Sequence, residues 1–329
     1  MVNCMTNSVD VTWQLDDITM NGTLSIPDGE GPFPAVIMVA GSGPTDRNWC
    51  SPLLPGVNGS ARLFAEAFAD AGIASLRYDK RASGPHAAES ARTLFGKFSM
   101  RSHLDELVAA VTELVRHGNI DGARIVGLGN SEGTLHVLHY VTSQHDVSFA
   151  GIILAAPPGR TVGEVVLSQF ALQATQFPGG AELMIGVKAA TDRYEIGEPM
   201  ELDPRLPESV RLALASFESP ANLPLARELW AESASALLSE VEIPTLVLIG
   251  QKDIQVDASL DGGILERVSA GKDNVTFSYP LHANHVFKED TRTLAEVVAT
   301  PGQGYNEDGT RLDPEALTTI LSWLHGLFN

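Results

Sequence analysis

Residues 129–133, Gly-Asn-Ser-Glu-Gly, place the hydroxyl of Ser131 between two glycines. The run ARIVGLG (123–129) before the serine is typical of a buried strand, and helix-compatible apolar spacing follows it. At a sharp strand-to-helix turn the central residue is strained, and side chains two positions away would collide. Helix N-terminal amides favour negative charge at such a hydroxyl. The pattern predicts a nucleophilic serine; the alternative is a serine that only caps the helix.

A serine hydroxyl is a weak nucleophile unless a base removes its proton. The stretch YPLHANHVF (279–287) follows the last predicted strand and offers two of the nine histidines, His282 and His285. Asn284 precedes the second of these and Val-Phe follows it, and we expect this apolar pair to anchor the loop and expose the ring. We therefore predict His285 as the base, with His282 as the alternative.

An acid must hold the tautomer of that base and stabilise its imidazolium form. Asp253 lies just past the apolar run PTLVLIG (244–250), after a glycine turn, and Asp257 is the alternative four residues later. A single aspartate in a loop usually forms a solvated turn or cap. Here the order serine, aspartate, histidine along successive strand ends favours Asp253 as the acid.

Acyl transfer also needs amide N–H groups that stabilise an oxyanion. The residue after the nucleophile, Glu132, is expected to supply one of them. The run PAVIMVA (34–40) leads into Gly41-Ser42-Gly43-Pro44, where glycines allow close approach of the backbone. We predict the N–H of Ser42 as the second donor, with Gly41 as the near alternative; the other interpretation is an ordinary Gly/Pro turn.

The elements that must position these residues alternate between strands and helices, which predicts a mostly parallel sheet with helices on both faces. An antiparallel pair at 9–27 precedes strands at 34–40, 73–79, 123–129, 149–157, 244–250 and 275–280. Helices are predicted at 60–72, 101–118, after Ser131 and at 314–328.

Residues 158–241 interrupt this rhythm with four helical stretches at 161–177, 180–194, 207–217 and 223–238. We interpret them as a cap over the carboxyl ends of the strands, where ligands bind in open α/β sheets. The core is then 1–157 together with 242–329. The alternative is that these helices only extend the core.

The chain resembles the α/β-hydrolase superfamily over nearly its whole length. GTLSIP (22–27), AGSGPTDRN (40–48), AGIASLRYDKRASG (71–84) and GNSEG (129–133) resemble bacterial serine esterases with GSGP-DR and RYDKR motifs. The resemblance implies an eight-stranded sheet with a helical cap, a triad of Ser131, Asp253 and His285, no cofactor and no metal. It also implies carboxylesterase activity on small to medium acyl esters. Many relatives have glycine where Ala82 stands.

Five charged residues, Asp46, Arg47, Asp79, Lys80 and Arg81, follow two predicted strand ends. They are expected to pair with one another and fix the loops below the site, because buried charges persist only when paired. The alternative is that they bind a polar or anionic substrate. Cys50, near the oxyanion loop, is expected to be a small packing residue.

The amino-acid composition limits the kinds of binding partner that we expect for this protein. Lys and Arg number 22 against 41 Asp and Glu, and the formal charge of −19 disfavours nucleic acid and anionic membranes as partners. Two cysteines, Cys4 and Cys50, form neither a disulfide framework nor a zinc pattern. The N-terminus shows no secretory signal, so we expect a soluble cytoplasmic protein acting on a small-molecule ester.

The same site suits other acyl chemistry on thioesters, amides or lactones, as well as acyl transfer and carbon–carbon bond hydrolysis. A binding module that has lost activity is the remaining alternative, against which the complete set of three residues argues.

Overall fold

The computed structural model describes residues 7–329. Residues 1–6, which include Cys4 and part of the stretch used to argue against a secretory signal, lie outside the described part. No helix within residues 7–329 is long and apolar enough to cross a membrane.

Eight strands form one sheet in the order β1-β2-β4-β3-β5-β6-β7-β8. The first two strands are antiparallel, β2 pairs antiparallel with β4, and the pairs from β4 to β8 are parallel. The strands are β1 (Asn7–Leu15), β2 (Ile18–Ile26), β3 (Phe33–Val39), β4 (Ala74–Tyr78), β5 (Ile120–Asn130), β6 (Gly151–Ala155), β7 (Thr245–Leu248) and β8 (Val275–Ser278).

The central strands are buried because helices cover both faces of the sheet. Every residue of β4 and β6 is buried, as is typical of parallel strands covered on both faces. The predicted eight-stranded α/β architecture is confirmed. Because parallel strands share one direction, the loops after β3, β4, β5, β7 and β8 meet at one edge of the sheet.

Twelve helices are present within residues 7–329. They are α1 (Ser60–Asp70), α2 (Ala87–Leu94), α3 (Met100–Arg116), α4 (Glu132–Val141), α5 (Val162–Ala174), α6 (Gly180–Glu195), α7 (Glu208–Phe217), α8 (Leu225–Ala231), α9 (Ala234–Leu238), α10 (Leu260–Val268), α11 (Leu294–Ala299) and α12 (Pro314–Phe328). The sequence analysis missed three short helices, α2, α10 and α11.

The prediction of one helix over 223–238 is wrong, because the structure divides this stretch into α8 and α9. Glu232 and Ser233 take extended backbone conformations between the two helices. The hydroxyl of Ser233 accepts a hydrogen bond from the N–H of Ala236 and caps α9. The local cap therefore outweighs the helical spacing of the apolar residues.

Helices α5 to α9 lie between β6 and β7 in the chain, with no strand among the described residues that connect them. They contain a second hydrophobic cluster, separate from the main core. Its buried members are Val187, Ala190, Tyr194, Met200, Leu206, Leu214 and Trp230.

Candidate active site

Ser131 lies at the turn between β5 and α4, with φ of 54° and ψ of −121°. Its N–H donates to the carbonyl of Ala155 at 2.8 Å, which holds this strained conformation. A Cβ on Gly129 would lie 2.3 Å from the Gly133 oxygen, and one on Gly133 would lie 2.5 Å from the Val39 oxygen. Both glycines are therefore required by backbone contacts. The Ser131 side chain caps no helix amide among the described residues.

His285 and Asp253 form a direct contact at the same edge of the sheet. The Nδ1 of His285 is 2.8 Å from Oδ2 of Asp253. The other carboxylate oxygen, Oδ1, accepts the N–H groups of Gln255 at 2.7 Å and Val256 at 3.0 Å. Both oxygens are thus occupied, and the Asp253 side chain is fully buried. This arrangement fixes the ring and favours the tautomer that leaves Nε2 free to accept a proton.

Neither alternative residue takes part in this contact. Oδ1 of Asp257 accepts the N–H groups of Ser259 and Leu260, both at 2.8 Å, at the start of α10. The described residues that line the cavity beside Ser131 include His285 but not His282. Among the candidates, the structure therefore brings together Asp253 and His285.

Asn130 connects the serine turn to the histidine loop. Its Nδ2 donates to the carbonyl of His285 at 3.1 Å, so the backbones on either side of the cavity are tied one residue from Ser131. Ser131 and His285 line the same cavity. Within residues 7–329, no hydrogen bond joins the Ser131 hydroxyl to the imidazole; such contacts often tighten only once substrate is bound.

The predicted oxyanion donors flank the serine. The position that a Cβ on Gly41 would occupy is 3.2 Å from the Ser131 Cβ, so the loop after β3 lies against the turn that carries Ser131. Glu132 is the first residue of α4, where an N–H has no partner inside the helix. Among the described residues, no acceptor is found for the N–H of Ser42 or Glu132. Both residues line the cavity beside Ser131.

Four of the five charged residues form ion pairs, but not in the way the sequence analysis expected. Only Arg47 and Asp79 pair with each other, at 2.7 Å. Lys80 instead pairs with Glu132, and Arg81 with Glu106, each at 2.7 Å. Asp46 accepts the N–H groups of two neighbouring loop residues, Asn48 and Cys50. The expectation that all five pair among themselves is therefore corrected.

Two histidines complete this buried network. The Nε2 of His136 is 3.1 Å from Oε1 of Glu132, and the Nδ1 of His103 is 3.0 Å from Oε2 of Glu106. The two imidazole rings lie 4.8 Å apart between centroids. Sequence reasoning missed His103, Glu106 and the carboxylate of Glu132. The contact between Glu132 and His136 could have been predicted from helical spacing, because the two residues are four positions apart on α4.

Burial and neighbouring charges together lower the pKa values of Glu132, Glu106 and His136 in this network. Burial raises the pKa of Glu132, but Lys80 and His136 outweigh burial and hold that pKa well below its usual range. Burial raises the pKa of Glu106 likewise, and His103 and Arg81 bring it below its usual value. Burial lowers the pKa of His136 to about 4 despite its bond to Glu132. Near neutral pH the glutamates are charged and His136 is neutral.

This arrangement predicts acid sensitivity above the titration range of the glutamates. Because the pKa of His136 is 6.5 in the unfolded chain and about 4 in the fold, the unfolded state binds the proton first, and stability falls as pH drops through this window. His136→Gln retains a donor to Glu132 but cannot bind this proton. We therefore expect its free energy of unfolding to fall by about 2 kcal/mol less than that of wild type between pH 7 and pH 5. Urea unfolding at both pH values measures this; equal losses in the two proteins would contradict it.

One atom each from His103, Glu132 and His136 lie within 4.8 Å of one another, close enough to suggest a cation site. However, the ammonium of Lys80 already lies 2.7 Å from Oε1 of Glu132. A metal ion would be repelled by that ammonium and would have to displace an established ion pair. The donor set therefore fits a structural charge network better than a metal centre.

Cys50 is buried, and burial raises the pKa of its thiol to about 11. A thiol with such a raised pKa is almost entirely protonated near neutral pH, whereas the thiolate is the reactive form. Its predicted role as a small packing residue agrees with this environment.

A cavity of about 850 Å³ opens beside Ser131. Loops at the sheet edge line part of this cavity, and helices α5, α7 and α8 contribute another part of its wall. That wall is mainly apolar, and its apolar residues include Val162, Val165, Val166, Phe217, Leu225, Leu229 and Trp230. The charged residues that reach the cavity, Lys80, Arg81 and Glu132, are engaged in the buried ion pairs described above.

Comparison with known proteins identifies the fold. No protein-family model matches the chain. The protein named esterase EstD of Thermotoga maritima is 26% identical over 313 residues, covering 94% of this chain and 66% of the relative. The chain thus spans just under two thirds of the length of this curated relative.

Solved structures extend this similarity. An esterase of Pyrococcus furiosus superposes with a TM-score of 0.56 at 16% identity, covering 98% of this chain and 93% of that one. A proline iminopeptidase of Mycobacterium smegmatis superposes with a TM-score of 0.55 at 15% identity, covering 97% and 98%. Together with the sheet order, these similarities show that the chain has the α/β-hydrolase fold.

Proposed function

We propose that this protein is a serine carboxylesterase that hydrolyses small to medium acyl esters through an acyl-enzyme. The single observation that carries the proposal is the placement of Ser131, on a strained turn, in the same cavity as the imidazole supported by Asp253. A hydroxyl held in this way has no evident structural task. The similarity to an esterase over 94% of the chain supports the same class of reaction.

In the proposed mechanism, Ser131 Oγ attacks the ester carbonyl carbon while Nε2 of His285 takes the hydroxyl proton. The tetrahedral oxyanion receives hydrogen bonds from the N–H groups of Ser42 and Glu132. His285 then protonates the leaving alcohol. Water, deprotonated by the same imidazole, releases the acid and regenerates the serine. Asp253 stabilises the imidazolium in both halves, and the residues described here suffice without a cofactor.

We further propose that residues 158–241 act as a cap that shapes the acyl pocket. The support is that the apolar wall of the cavity comes from α5, α7 and α8, whereas the reacting groups come from the sheet edge. A separate hydrophobic cluster inside these helices gives the cap its own packing. The cap rather than the triad would then determine which esters are accepted.

The apolar wall and the paired charges favour neutral, apolar acyl groups over acyl groups that carry a second carboxylate. A free carboxylate in the cavity would find no unpaired cation among the described lining residues and would lose its hydration. A panel of p-nitrophenyl esters, from acetate to decanoate, with a matched succinate half-ester, tests this. The same panel should contain a thioester, an anilide and a lactone, which separate esterase activity from other acyl chemistry. Faster turnover of the anilide or thioester would contradict the ester assignment.

Filling the cavity should change chain-length preference without affecting the reacting groups. Val166→Trp places a large ring on the α5 wall, so we expect kcat/KM for octanoate to fall roughly tenfold relative to acetate. Leu212→Trp on the exposed face of α7 is the matched control and should leave the ratio unchanged. An unchanged ratio in Val166→Trp would place the acyl group elsewhere.

A further inference from the structure

The side chain of Lys80 connects the two loops that carry the proposed oxyanion donors. Its Nζ donates to the carbonyl oxygen of Gly41 at 2.7 Å and to Oε1 of Glu132 at 2.7 Å. Lys80 follows β4, Gly41 follows β3 and Glu132 follows β5, so the side chain spans three adjacent strand ends. It is almost completely buried, with 3% of the side chain exposed.

The bond to Gly41 determines the direction of an N–H group one residue away. The carbonyl of Gly41 and the N–H of Ser42 belong to one planar peptide, and this peptide is trans. The two groups therefore point in opposite directions, and an ammonium that fixes the carbonyl also fixes the N–H. If the peptide flipped, the Ser42 N–H would face the ammonium, donor against donor, and the ammonium would lose an acceptor.

The second bond acts on the other donor residue. The carboxylate of Glu132 is held by Lys80 and by His136, at the first turn of α4, where a negative charge is also favoured by the helix dipole. The carboxylate in turn compensates the buried ammonium, which would otherwise be costly. One charge pair thereby contacts both segments that carry the proposed oxyanion donors.

We infer that Lys80 is a positioning residue that preforms the oxyanion hole, by fixing the Gly41–Ser42 peptide and the start of α4 in the orientation that stabilises the tetrahedral intermediate. This role rests on the proposed serine hydrolase function. It also distinguishes the two candidate donors, because the carbonyl that Lys80 holds shares its peptide with the N–H of Ser42 and not with that of Gly41.

Lys80→Met keeps the length and apolar stem of the side chain but removes the ammonium. We expect kcat to fall on the order of 10²–10³, as when an oxyanion donor is lost, with KM changed by less than about threefold. Inhibition by a trifluoromethyl ketone, which forms a tetrahedral adduct with an active-site serine, should weaken by a similar factor. Inhibition by the secondary alcohol of the same carbon skeleton, which forms no adduct, should be unchanged.

Two further variants control for folding. Lys80→Met combined with Glu132→Gln avoids leaving an unpaired buried carboxylate and should show the same loss of kcat, whether or not the single variant folds. Arg47→Met breaks the neighbouring buried pair with Asp79, which joins the same loops away from the Gly41 peptide. It should lower the melting temperature and leave kcat within about threefold of wild type.

Three outcomes separate the possibilities. A folded Lys80 variant that keeps wild-type kcat would overturn the inference, as would equal weakening of the ketone and the alcohol. Loss of kcat together with selective loss of ketone affinity supports it. Ser131→Ala in the same assay tests the proposed serine hydrolase function separately. If that variant stays active, the proposed function itself fails. An inactive Ser131→Ala beside a fully active Lys80→Met refutes only the role of Lys80.

Discussion

Ser131→Ala should lower kcat for a p-nitrophenyl ester by about 10⁵–10⁶, close to the limit set by the residual oxyanion stabilisation and binding. The change removes only an oxygen atom, and the hydroxyl makes no helix-capping contact among the described residues. We therefore expect little change in the melting temperature. Steady-state hydrolysis with contaminating esterase excluded by a second purification step measures the effect.

A buried serine away from the cavity provides the control. Ser60 on α1 is fully buried, and Ser60→Ala should leave kcat/KM within about twofold of wild type. If Ser131→Ala retains more than a hundredth of the wild-type rate, the nucleophile lies elsewhere. If both serine variants lose activity equally, the loss reflects folding and not chemistry.

Substitutions of the imidazole and its carboxylate should have the next largest effects. His285→Ala removes the proposed base and should lower kcat by about 10⁵–10⁶, nearly as much as loss of the serine. Asp253→Asn preserves side-chain shape but presents a donor or a neutral acceptor to Nδ1 of His285, which disfavours the reactive tautomer. We expect a fall in kcat of about 10⁴. If the three residues act as the proposed unit, the double variant with Ser131→Ala should be no worse than Ser131→Ala alone.

The chain itself supplies matched controls for both substitutions. Asp257→Asn changes a carboxylate four residues away that accepts N–H groups at the start of α10, so it should affect stability and leave kcat within about twofold. His282→Asn alters the other histidine of the same loop and should also leave kcat nearly unchanged. An Asp257 variant as impaired as the Asp253 variant would contradict the assignment of the acid.

Local steric contacts explain why the turn that carries Ser131 could be predicted from the sequence. Gly129 and Gly133 are required by backbone atoms within a few residues or on the adjacent strand, so a five-residue pattern contains most of the information. The antiparallel pair could be predicted from its alternating pattern and the Asp-Asp turn, and the strand at 34–40 from its continuous apolar run, which indicates burial on both faces. Ser131, Asp253 and His285 could be grouped because each follows a predicted parallel strand, and the loops after such strands meet at one edge of the sheet.

The charge network was not readable, because its partners are distant in the chain. Lys80 is 52 residues from Glu132, and Arg81 is 25 residues from Glu106. Spacing alone favoured pairing among the five neighbours, and only tertiary structure could show which glutamates approach them.

Two local features were also missed or could not be derived. The short helix α11 begins with a reciprocal capping box between Thr293 and Glu296, a signal that the sequence does contain. Ala82 has φ of 61°, the left-handed region that favours glycine. This conformation accounts for the glycine expected at that position by resemblance, but it could not be derived from the alanine itself.

The most direct test of the central claim is covalent trapping of the nucleophile with a fluorophosphonate, followed by intact mass measurement and peptide mapping. The account predicts one adduct per chain, located on Ser131, formed rapidly in wild type, far more slowly in His285→Ala and not at all in Ser131→Ala. An adduct mapped to another residue, or labelling of Ser131→Ala at the wild-type rate, would contradict it.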